Sequence, residues 1–229
     1  MNRIATPIRD LIFLLILVSS GPAWAEDGVD KSIDLHFGVS SFRNSDGSGL
    51  MLDSSPVYGG GIEFRKDRLS LELSGDILET TVKQDVTISL ATPPTITKGG
   101  ADTLTARLAI YPILLTGRFH FSEKDDPIDP YIGLGGGYYR LSFKKTGDTN
   151  PTLDLNVPDA GGYHVNLGMN FKATPSMAMF VDARYIWARV KVTYQGDLAA
   201  LNTGDVTLNL TGLTVTWGLR ISLETSSVH

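Results

Sequence analysis

The chain has no cysteine among its 229 residues, which excludes disulfides, thiol chemistry and a lipid anchor on an N-terminal cysteine. No apolar run reaches the roughly 20 residues that a membrane-spanning helix needs. Basic residues are in the minority, with 20 Lys and Arg against 25 Asp and Glu and a net charge of −5. Without a basic cluster, nucleic acid is not expected as a partner. No serine sits in a nucleophile elbow, and no acid, histidine and serine share a triad-like spacing, although His36 and Ser40 lie on one face. No catalytic residue, metal ligand or cofactor site is therefore assigned. The lack of a long apolar helix leaves one membrane option open. A β-barrel hides its apolar residues at alternate positions.

What is present begins with an export signal. Arg3 and Arg9 give a positive start, Leu11 to Val18 an apolar core, and Ala23-Trp24-Ala25 a small-x-small cleavage site. Residues 1–25 are thus expected to be a signal peptide, and residues 26–229 an outer-membrane barrel with long extracellular loops. Without Arg3, Arg9 and Asp10, this second part holds 18 basic and 24 acidic residues, a net charge of −6.

Period-two alternation then recurs eight times. The first run sets Ile33, Leu35, Phe37 and Val39 against Asp34, His36, Gly38 and Ser40. The others run through Tyr58–Phe64, Leu69–Leu73, Leu115–Phe121, Tyr131–Phe143, Gly161–Phe171, Met177–Trp187 and Leu213–Leu223. Short links (Lys66 to Arg68, Ser122 to Pro130, Lys172 to Ser176) alternate with long ones (Asn44 to Pro56, about Thr80 to Asp102, Thr146 to Ala160, Gln195 to Gly204). Short periplasmic turns and long outer loops mark outer-membrane barrels. Phe64, Phe119, Phe121, Tyr131 and Phe171 would form one aromatic girdle, and Tyr58, Phe143, Tyr163, Tyr185 and Trp187 the other. The predicted fold is all-β, an eight-stranded antiparallel transmembrane β-barrel. A soluble lipocalin-like barrel would keep its apolar side inside and need no girdles.

The inward positions carry Asp34, Glu63, Glu72, Asp76 and Asp182 together with Arg65, Arg118, Arg140, Arg184 and Arg220. An eight-stranded barrel is just wide enough for side chains to fill it, so these charges predict a paired polar plug rather than an ion pore. Four strands outrun the roughly 9–11 residues that cross a membrane. If their pleat continues without a bulge at Pro112 or Gly212, the pattern inverts above the membrane. Leu78, Leu108, Ile110, Val192, Tyr194, Leu208 and Leu210 then gather inside as an apolar chamber at the mouth, unless they merely pack the hairpins together.

At YPILLTGRFHF (Tyr111 to Phe121) and DPYIGLGGGYY (Asp129 to Tyr139), and again at VDARYIWARV (Val181 to Val190), the sequence resembles the OmpW family of outer-membrane proteins. The resemblance implies a barrel with a hydrophobic channel, closed towards the periplasm, that passes small apolar molecules sideways into the membrane. The polar tail after Leu223 departs from the terminal aromatic usual in such barrels. The partners this reading implies are the lipid bilayer, lipopolysaccharide and small hydrophobic solutes. The alternative is a structural or adhesive barrel acting through its extracellular loops.

Overall fold

Every backbone polar group inside a lipid layer must be paired, and a sheet manages this only by closing on itself. The computed structural model describes residues 28–43, 50–89, 95–98, 100, 102–145, 153–201 and 206–223; the expected leader lies outside them. In chain order its strands are β1 (Asp30–Phe42), β2 (Leu50–Leu52), β3 (Ser55–Lys66), β4 (Leu69–Ser89), β5 (Thr95–Lys98) and β6 (Asp102–His120). Then follow β7 (Ile128–Lys145), β8 (Leu155–Asn156), β9 (Ala160–Thr174), β10 (Met177–Tyr194), β11 (Val206–Asn209) and β12 (Gly212–Ser222). Eight of them close a ring in the order β1-β3-β4-β6-β7-β9-β10-β12, every pair antiparallel, with β12 returning to β1. The chain is an all-β, eight-stranded antiparallel barrel. The short pieces β2 and β5 pair with β4, and β8 and β11 with β10, and they raise the wall on the side of the long connections.

At the opposite end the links are tight. Lys66 pairs with Leu69, leaving Asp67 and Arg68 as the turn, and Asp67 takes φ +55°. Aspartate tolerates that left-handed conformation better than most side chains.

The pleat does continue upward. Strand β4 has 21 residues and β6 has 19, far more than a crossing requires. Gly75 pairs with Ile113 and Leu78 with Ile110, so the register is the same on both sides of Pro112. Arg189–Asn209 and Ile186–Gly212 likewise keep one register through the break between β11 and β12. No phase-flipping bulge occurs at either place. Strand β7, 18 residues long, rises with the others, which alternation alone did not indicate.

One strand reverses the expectation. In β7 Tyr131, Tyr139 and Leu141 are buried inside and Phe143 packs against the interior, whereas Arg140 and Tyr138 are exposed outside. Arg140 therefore is not part of the plug, and Tyr131 and Phe143 do not belong to the girdles. The cause is the run Gly133-Leu134-Gly135-Gly136-Gly137, in which three successive inward positions carry no side chain. Without them, the adjacent pair Tyr138 and Tyr139 could be assigned to either face.

On β3 Ile62 and Phe64, expected on the outer face and Phe64 in a girdle, are buried; on the remaining strands the outer face is as expected. Leu35, Leu71, Leu115, Leu134, Val165, Leu167, Val181 and Leu219 are exposed around the barrel, an apolar belt that water would penalise and lipid accepts. Phe119 and Phe121 meet edge to face at 5.4 Å at the short-turn end. Tyr163 stacks on Trp187 at 5.2 Å, and Tyr185 meets the same ring at 4.7 Å, towards the long connections.

Candidate functional site

The barrel interior has two storeys. In the lower one Glu63 of β3, Glu72 of β4, Arg118 of β6, Asp182 of β10 and Arg220 of β12 meet, each no more than 7% exposed. Arg118 Nη2 donates to Glu72 Oε1 at 2.7 Å, and its Nη1 lies 3.5 Å from Glu63 Oε1. Arg220 Nη1 lies 2.7 Å from Glu63 Oε2, and its Nη2 donates to Glu72 Oε2 at 3.3 Å. Arg184 reaches Asp76 Oδ2 at 3.5 Å, while Asp34 Oδ2 is 3.9 Å from Arg220. Arg65 bonds Asp129 at 2.6 Å nearer the short turns. Nine of the ten inward charges expected in the plug thus share this network, and Arg140 does not.

Further side chains complete it. Tyr131 donates its hydroxyl to Asp182 at 3.0 Å, under the guanidinium of Arg118 at 4.7 Å from its ring. His36 bridges Asp34 at 2.9 Å and Asp76 at 2.7 Å. That bridge passes directly over Gly59, where a Cβ would stand 2.2 Å from the Asp76 carboxylate; only glycine admits it. His120 and Asn170 both hold Asp129. Phe180, 3% exposed, lies under Arg220 at 5.0 Å. Its inward place was missed, though it shares the phase of Asp182 and Arg184. Buried charges paired this closely are costly to separate.

In the upper storey all seven expected mouth residues come together. Leu78, Leu108, Ile110, Val192, Tyr194, Leu208 and Leu210 are buried and belong to one apolar cluster. Leu50, Leu52, Leu153, Leu155 and Leu198 from the long connections join it, and sequence reasoning missed them. A signal was there in miniature only at Leu153-Asp154-Leu155, which alternates for three residues, whereas Leu50-Met51-Leu52 is apolar throughout. A polar contact crosses the cluster, Tyr194 Oη donating to Gln84 Oε1 at 2.5 Å. Burial pushes the Tyr194 phenol up to about 12, so it stays a donor at neutral pH. The Ile88 side chain and Leu90 lie outside the described residues.

Between the storeys is a cavity of about 20 Å³, lined by Ser40, Asp76, Leu78, Ile110, Pro112, Tyr139, Leu210 and Thr214 among others. Chemically, the interior offers a packed apolar upper core, a polar floor and a small gap between them. Among the described residues no group of three or more His, Asp or Glu has metal-binding geometry.

A family model described as the OmpW family matches residues 50–220. Among solved structures, Neisserial surface protein A aligns with TM-score 0.49 and 13% identity over 85% of this chain and 97% of that one. The solution structure of outer membrane protein W from E. coli aligns with TM-score 0.44 and 12% identity over 86% and 98%. The N-terminal β-barrel domain of OprF from Pseudomonas aeruginosa gives 0.44 and 11% over 85% and 97%. No curated protein sequence matches the chain significantly.

Proposed function

The chain belongs to the OmpW family and is an outer-membrane barrel, and from that premise we propose that it binds and passively conducts small hydrophobic molecules through its apolar upper storey. The observation that supports the reading is the cluster of 23 buried residues above the plug. A solute entering there exchanges water for apolar side chains, gaining about 25 cal/mol per Å² buried. The plug below bars the straight path, so the solute leaves through the wall into lipid. Binding along such a route must be weak, because a tightly held solute does not move on.

In this closed arrangement the cluster is packed, with Leu108 and Leu208 fully buried. Conduction uses a less populated arrangement in which those side chains part. Export after removal of residues 1–25 is part of the reading, and the mass of the envelope-extracted protein reports it. The test of conduction replaces Leu108 and Leu208 together by Asn, which keeps the branched shape and heavy-atom number of Leu. Uptake of octane by cells carrying the inserted double variant is expected to fall at least several-fold against wild type, with insertion checked by the heat-dependent gel shift of folded barrels. Unchanged uptake would overturn the reading and favour a barrel that acts through its loops.

A further inference from the structure

The gap between the storeys has one feature that packing does not explain. Tyr139 lines it, is 2% exposed, and its hydroxyl has no hydrogen-bond partner among the described residues. A buried hydroxyl left unpaired costs about 1–3 kcal/mol, and phenylalanine would fill the same space without that cost. The ring is also specifically accommodated. A Cβ on Gly162 of β9 would stand 2.9 Å from Tyr139 Cε2, so the neighbouring strand leaves room for the aromatic edge.

The other polar groups of the gap are engaged. Ser40 Oγ and Thr214 Oγ1 bond each other at 3.0 Å. Asp76 is held by His36 at 2.7 Å and faces Arg184 at 3.5 Å. The walls above are Leu78, Ile110 and Leu210. One donor is therefore free at the edge of an apolar cluster, beside a carboxylate already paired with Arg184 and His36. The gap of about 20 Å³ is about one water in size, which is also the size of a single oxygen head group.

We propose that the gap is a head-group site for an apolar molecule carrying one neutral oxygen, a ketone or an alcohol, which accepts a hydrogen bond from Tyr139 while its chain lies among Leu78, Ile110 and Leu210. This deepens the proposed function, on which it rests, by naming the solute class. Pure hydrocarbons pass without using Tyr139, and a fatty acid anion would give up its hydration for a single donor in an otherwise apolar gap.

The experiment uses the full barrel in lipid nanodiscs with three probes, octane, octan-2-one and octanoate, each measured against protein-free nanodiscs. Wild type is expected to retain octan-2-one over octane and octanoate, with the C=O stretch of the bound ketone moved to lower frequency than in lipid. Tyr139→Phe should lower ketone retention about 3- to 10-fold, the worth of one buried hydrogen bond, and leave octane unchanged. If the variant does not insert, the C=O band in wild type decides alone. Octane and ketone retained alike, a preference that survives Tyr139→Phe, or an unshifted C=O band would overturn this site and leave conduction standing. Retention of neither octane nor ketone would overturn the proposed function itself.

Discussion

The two storeys are built from the same strands with an unbroken pleat, yet their interiors have opposite chemistry. On β4 the inward series runs Ser70, Glu72, Ser74, Asp76 and then Leu78, Thr80, Val82, Gln84, Val86. On β6, read from the short turns upward, His120, Arg118 and Thr116 give way to Leu114, Pro112, Ile110 and Leu108. The change follows what lies outside the wall. Where lipid surrounds the barrel, the outer positions must be apolar, and the interior is left to polar groups that satisfy one another. Above the membrane, water solvates the outer face, and apolar side chains earn their stability inside. One fold therefore holds two kinds of core, a lower one tied by charge pairs and an upper one by apolar contact.

The contrast predicts unequal costs of substitution. The largest belongs to the plug: Arg118→Met removes one of the two cations that Glu63 and Glu72 share, leaves Arg220 alone between them, and should cost about 3–5 kcal/mol, read by denaturant unfolding from lipid vesicles. A loss below about 1 kcal/mol would mean that the lower core is not held by its charges. Next comes the outer wall at membrane level, where Val165→Arg should cost about 2–4 kcal/mol in the same assay. If the cost matched that of a loop substitution, Val165 would not face lipid. The smallest effect is expected on the outer wall above the membrane. Arg107 pairs there with Glu79 at 3.3 Å, both largely exposed, and Arg107→Ala should cost under about 1 kcal/mol. A larger loss would place that stretch of β6 at lipid depth and erase the distinction between the storeys.

Much of this was legible before the fold. The faces of β1, β4, β6, β10 and β12 followed from alternation because one side meets lipid or water and the other a filled interior. The same logic located the mouth residues on β4, β6, β10 and β11. It failed on β7, where glycine removes the side chains that would report a face. It also passed over Phe180, because an aromatic inside a polar storey is exceptional until the guanidinium of Arg220 is seen above it.

By itself the sequence determined the number of strands, the faces of most of them and the height at which their interior turns apolar, since each depends only on neighbours along the chain and the solvent outside. The tertiary structure alone decided who meets whom. Arg220 reaches Glu72 from three strands away, Tyr131 reaches Asp182 across β9, and His36 bridges to Asp76 over Gly59. Such contacts depend on how the sheet closes and on the stagger between strands far apart in the chain. The solitary Tyr139 hydroxyl in the gap is of the same kind, visible only once the ring of strands is complete.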